Sequence, residues 1–175
     1  MLTPAHLFVA NVPPDFSSLN QLDAEHAYGS AIPVRNSIAK LGRLSTSHLS
    51  NFTAAVDLLI SSGPIRFVSI YLMPSLSNFS STVSSIFKSI ASPFSILCAD
   101  ANAKSPLWNS VGTDHRGSEL ESLLIDYKLN VANQPLESLE FIPGGTSFID
   151  LTLTGDLINL SRWLFLSTLS LSDHP

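Results

Sequence analysis

Hydrophobic and polar positions change period several times along this chain, and each change marks an element. Residues 52–60 are nearly continuous in apolar, β-compatible side chains, and Ser61-Ser62-Gly63-Pro64 supplies a turn. Residues 65–72 then alternate, with β-branched and aromatic side chains closed by Pro74, so the two stretches predict a β-hairpin. In the Ser-rich stretch that follows, Phe79, Val83, Ile86, Phe87 and Ile90 recur at spacings of 3 and 4. That period predicts an amphipathic helix, with Ser77 as its N-cap and Pro93 as its stop. Residues 94–99 form a short unbroken apolar run, as expected of a strand buried on both faces. A second helix is predicted over 119–129, with Leu120, Leu123, Leu124 and Tyr127 on one face. Strands are predicted from Leu129 onward, over 147–153 after a turn at Gly144-Gly145, and over 161–166. Residues 31–34 contain Pro33 and suit an edge strand, while 1–30 are the least legible part. There, 7–10 could pair as a strand, Pro13-Pro14 forces an extended segment, and 15–29 has no clean period. A hairpin, a helix, a strand, a helix and further strands predict an α/β layered fold in one domain over 1–175, with helices covering sheets.

Composition narrows the function classes. With 175 residues and 45% hydrophobic content the chain can bury a real core. Charged residues make up 13%, the net charge is −5, and Lys plus Arg number 9. Such a chain lacks the basic face that sequence-independent DNA affinity requires, so any nucleic-acid binding is expected to be weak or confined to a local patch. Cys98 is the only cysteine, which excludes an internal disulfide and a cysteine-built zinc site; in its apolar run it is expected to be a buried, inert thiol. No apolar run reaches the roughly 20 residues needed to span a bilayer, and the first residues carry no basic stretch. The expectation is an intracellular protein, neither secreted nor membrane-bound.

Candidate chemistry sits at strand ends. Asp100 and Asn102 close the run 94–99, and positions i and i+2 of a strand face one side, so both are expected in one crevice at the carboxyl edge of a sheet. An Asx turn closing the strand accounts for the same two residues. Asp150 interrupts an apolar run, where an acid calls for a partner such as His, unless it lies on a solvated face. Asp173 and His174 adjoin at the end of the sequence, either as part of a site or as solvated residues. Together these groups are the types that metal-assisted phosphodiester hydrolysis uses.

At Ala99-Asp100-Ala101-Asn102-Ala103, followed by Ser105-Pro106-Leu107-Trp108, the sequence resembles the endonuclease domain of LINE-type (non-LTR) retrotransposons. The similarity continues in order through Arg116-Gly117, Asn133, Ile149-Asp150-Leu151-Thr152, Trp163 and Ser172-Asp173-His174, with Phe67 to Pro74 matching upstream. The resemblance implies the endonuclease/exonuclease/phosphatase fold, a four-layer α/β sandwich of two mixed β-sheets flanked by helices, and cleavage of DNA with Mg2+ or Mn2+. By residue, it implies that Asp100 helps activate water and that Asn102 holds the scissile phosphate. Tyr71 would bond a phosphate oxygen, Asp173 would serve the metal, and Asp150 would orient His174 on the phosphate. It also implies a reverse transcriptase domain on the same polypeptide and, in an active element, a nuclear location.

The sequence departs from the family at its start. The first family strand with its Asn, and the second with a metal-binding Glu in a Gln-Glu-Pro context, have no match; Asn11 and Glu25 are 14 positions apart, too close to hold the helix expected between them. The fold is therefore expected to be incomplete, lacking also a final strand after Pro175, and the nuclease to be impaired. The alternatives are a non-catalytic remnant of the domain or another phosphoesterase of the same fold.

Overall fold

The computed structural model describes residues 13–20, 29–142 and 148–165. Its centre is a six-stranded mixed sheet of order β3-β4-β5-β6-β8-β7, accompanied by a two-stranded antiparallel sheet, β1-β2. The strands are β1 (Phe16–Asn20), β2 (Ala31–Arg35), β3 (Leu44–Leu49), β4 (Thr53–Ile60), β5 (Gly63–Tyr71), β6 (Ser95–Asp100), β7 (Leu129–Val131) and β8 (Asp150–Gly155). The helices are α1 (Asn36–Ala39), α2 (Phe79–Ile90) and α3 (His115–Asp126). This is the α/β architecture of two sheets with helices that the sequence predicts.

The hairpin forms as expected: β4 and β5 pair from Thr53↔Ile70 to Ile60↔Gly63, leaving Ser61 and Ser62 as the turn, with Gly63 at φ 117. The chain crosses through α2 to reach β6, which pairs parallel to β5, and β8 returns antiparallel to β6. One sheet face is packed by α2 and α3. Phe79, Val83, Ile86, Phe87 and Ile90 of α2 bury against Ala55, Val68, Ile70, Leu97, Ala99, Leu151 and Leu153. Arg66 ties the sheet to the helix end, donating Nε and Nη2 to Asp57 at 2.8 and 3.0 Å and Nη1 to the Ile90 carbonyl at 3.1 Å. On the opposite face β2 packs across β4 and β5, where Val34, Ala54 and Val56 are buried and the Ser30 and Ser69 hydroxyls bond at 2.7 Å.

Several expectations are corrected. The N-cap position of α2 is Asn78, not Ser77, and its side chain makes no capping hydrogen bond. α3 starts four residues before the predicted 119, because Asp114 accepts from the Gly117 amide and nucleates the first turn. β6 is not buried on both faces: Leu97 and Ala99 face the helices, while Cys98 on the other face is exposed rather than buried. Residues 161–165 are not a strand; Trp163 instead lies over β8 and donates Nε1 to Thr152 Oγ1 at 3.1 Å. β1 and β3 were not anticipated. The possible strand at 7–10 and the turn at Gly144-Gly145 lie outside the described residues.

Candidate active site

Sheet register brings three of the expected site residues into one row. Tyr71, the last residue of β5, is paired with Asp100, the last of β6, and Asp100 is paired with Asp150, the first of β8. Three side chains thus leave one edge of the sheet from adjacent strands. Asp150 begins its strand instead of lying within one. The segment before it turns toward neighbouring loops: the Phe148 carbonyl accepts from Ser110 Oγ, and the Ile149 carbonyl accepts from the Ala101 amide at 3.1 Å. Asn133 holds β8 at this end, donating Nδ2 to the Asp150 carbonyl at 3.1 Å and accepting from the Thr152 amide at 2.8 Å.

Asn102 joins the row by a different route from the one its spacing implied. β6 ends at Asp100, and Asn102 lies beyond it in the left-handed region, at φ 45. Asn tolerates that conformation better than most residues. The turn lays the amide back on the carboxylate: the Asn102 backbone N–H donates to Asp100 Oδ1 at 3.3 Å and Nδ2 donates to the same oxygen at 3.0 Å. Nδ2 donates also to the Leu72 carbonyl at 3.1 Å. An amide nitrogen carries two hydrogens, so both already point at protein acceptors. The Asx turn and the convergent pair are one structure.

The first turns of α3 hold the loop that carries Asn102. Asp114 Oδ1 accepts from the amides of Lys104 at 3.1 Å and Gly117 at 2.7 Å. A Cβ at Gly117 would lie 1.8 Å from the Lys104 carbonyl oxygen, so only glycine permits this approach. Ser105, fully buried, donates its hydroxyl to Glu121, and Trp108, also fully buried, donates Nε1 to the Ala103 carbonyl at 3.0 Å. Arg116 directs its guanidinium onto carbonyls beyond β5 and β6. Burial pushes that guanidinium below its ordinary value, against the carboxylates of Asp114, Asp100 and Glu119, which raise it. In the sequence the Arg116-Gly117 step stands out only as part of a motif; Asp114, three residues before Gly117 at a helix start, is the local signal that it anchors a loop.

Asp173 and His174 lie outside the described residues. Among the described residues no group of three His, Cys, Asp or Glu side chains gathers to hold a metal ion, so the Asp100–Asp150 pair is not by itself a full set of ligands for a hard cation. No helix among the described residues is long and apolar enough to cross a membrane.

Comparison with known proteins gives a consistent family. In solved structures the chain resembles the endonuclease domain of TRAS1, a telomere-specific non-LTR retrotransposon, with a TM-score of 0.64 and 22% identity over 83% of this chain and 69% of that one. At that identity the likeness establishes the fold. No curated protein matches the sequence. A family model described as endonuclease-reverse transcriptase matches residues 65–175, which take in most of β5, all of β6 and β8, and the whole row of Tyr71, Asp100 and Asp150. The chain therefore belongs to the endonuclease-reverse transcriptase family.

Proposed function

We propose that this chain is a single, partial endonuclease domain of a retrotransposon polyprotein that hydrolyses DNA phosphodiesters with Mg2+ or Mn2+, and that it does so slowly. The observation that carries the reading is the row of Tyr71, Asp100 and Asp150 on directly paired positions, with Asn102 folded onto Asp100. Two carboxylates and a phenol at one sheet edge are oxygen groups of the kind that serve a hard cation and the phosphate it accompanies.

In this reading Asp100 takes a proton from the attacking water, and the Tyr71 phenol donates to a phosphate oxygen. Asn102 engages the phosphate only by releasing one of its two amide hydrogens from Leu72 or Asp100. Asp150 orients His174 on the phosphate, and Asp173 is a ligand of the cation, which would neutralise charge on the phosphate. No step is assigned to the cation beyond that, because two carboxylates make an incomplete shell. That the sequence has no match to the family's metal-binding Glu is the reason to expect slow turnover. A reverse transcriptase domain on the same polypeptide and a nuclear location in an active element complete the proposal.

Plasmid nicking in magnesium or manganese tests it. Slow metal-dependent nicking is expected, falling by about 10²–10⁴ in Asp100→Ala, the usual worth of a positioned base. Nicking indifferent to Asp100→Ala would overturn the assignment. No nicking in either metal would favour the second reading, a non-catalytic remnant of the domain.

A further inference from the structure

Arg116 makes more contacts at the candidate site than any role assigned so far requires. From the second position of α3 its Nη1 donates to the carbonyls of Met73 at 2.9 Å and Pro74 at 3.0 Å. Its Nη2 donates to the Ala101 carbonyl at 3.0 Å and reaches the Leu72 carbonyl at 3.5 Å. The guanidinium also lies over the Phe79 ring, 4.1 Å from its centroid, at the start of α2. The buried Nε finds no acceptor among the described residues. One side chain thus joins the segment after β5 (Leu72, Met73, Pro74), the segment after β6 (Ala101) and the entry to α2. These acceptors are all main-chain oxygens; Leu72 follows Tyr71 directly, and Ala101 stands between Asp100 and Asn102. A planar fork with several donors can span two loops in this way; an ammonium point charge cannot.

Leu72 links this clamp to the chemistry. Its carbonyl accepts from Asn102 Nδ2 as well as from Arg116. We propose that Arg116 is a positioning residue, which draws the segments after β5 and β6 onto one guanidinium and so fixes the Leu72 carbonyl that holds the Asn102 amide against Asp100. The proposal rests on the reading of Asp100 and Asn102 as the working pair. Its first test does not depend on activity.

The experiment observes asparagine side-chain amides by NMR in protein labelled with 15N-asparagine, in the wild type, Arg116→Ala and Arg116→Lys. The Asn102 pair is expected to shift toward the position of free asparagine in both variants and to exchange with solvent about tenfold faster. The Asn133 pair, bonded to the Asp150 carbonyl, serves as control and is expected to stay in place. Added guanidinium is expected to restore the Asn102 signal in Arg116→Ala. An Asn102 signal unmoved in the variants, or one that moves together with Asn133, would overturn the proposal and leave Arg116 as a stabiliser of the fold. Should Arg116→Ala fail to fold, Arg116→Lys, which keeps the charge, decides on the same criterion. A second arm reads nicking: kcat is expected to fall about 10²-fold with KM for DNA little changed, as for a small misplacement of the reacting groups. A wild-type protein that does not nick would remove the nuclease reading, while the NMR result would still decide whether Arg116 positions Asn102.

Discussion

At the scale of single residues, the structure shows that a turn and a site can be the same set of bonds. Asn102 satisfies the chain after β6 by the same hydrogen bonds that aim it at Asp100. Spacing in the sequence named both residues, but strand alternation does not bring them together, since β6 ends at Asp100 and Asn102 is itself left-handed. Other residues give sharper tests. Thr53 is fully buried and its hydroxyl has no partner among the described residues. Thr53→Val keeps the shape and removes that unsatisfied group, so it is expected to stabilise the protein by about 1 kcal/mol. Thermal unfolding would register this as a rise of about 2–4 °C; a fall would indicate an undetected partner. Gly117 predicts the opposite sign. Its missing Cβ would stand 1.8 Å from the Lys104 oxygen, so Gly117→Ala must push α3 away from the loop. A loss of about 1–3 kcal/mol in urea unfolding is expected, in the range of other overpacked sites.

At the scale of elements, stability concentrates where the sheet meets α2. The Asp57–Arg66 pair lies on the helix side, with side chains 22% and 24% exposed, and Arg66 continues to the last carbonyl of α2. The Arg66 hydrogen bond first, and its charge as well, hold the Asp57 carboxyl below its ordinary value, although burial opposes them. A depressed folded value means that the stabilisation is complete above the unfolded aspartate range and is lost as pH falls through the folded value. Asp57→Asn is therefore expected to cost about 1–3 kcal/mol at neutral pH, as for hydrogen bonds to charged groups. In acid the two proteins should converge; a gap that persists at the lowest pH would assign the loss to packing instead. What could be read in the sequence follows the same physics. α2 and the β4–β5 hairpin were legible because Phe79, Val83, Ile86, Phe87 and Ile90, and the alternation of β5, bury on one face. β3 was not, since Leu44–Leu49 is polar at four of its six positions and exists as a strand through its pairing with β4. Residues 161–165 misled in the other direction, because Trp163 and Phe165 are apolar for ring packing at 4.8 Å, outside any strand. The candidate row was legible through the order of its motifs. Arg116 was not, because its partners are main-chain oxygens that no side-chain pattern announces.

At the scale of the whole molecule, charge sets how the proposed nuclease can meet DNA. Nine Lys and Arg against a net charge of −5 already argue for weak binding, and their placement lowers the useful number further. Arg35 lies near Asp15 at 3.7 Å, Arg162 near Glu140 at 3.5 Å, Arg66 is paired with Asp57, and Arg116 is turned onto backbone carbonyls. Lys104, exposed on the loop that follows Asn102, is the cation closest in sequence to Asp100. Each phosphate neutralised releases counterions and adds about −0.9 to the slope of log affinity against log salt. With one or two such contacts the slope for duplex DNA should be about −1 to −2. Fluorescence anisotropy between about 50 and 200 mM salt would measure it. Lys104→Ala should remove about one contact and flatten the slope by about 1. A slope of about −6 or steeper in the wild type would require a basic surface that these residues do not form, and would place the DNA contact away from this sheet edge.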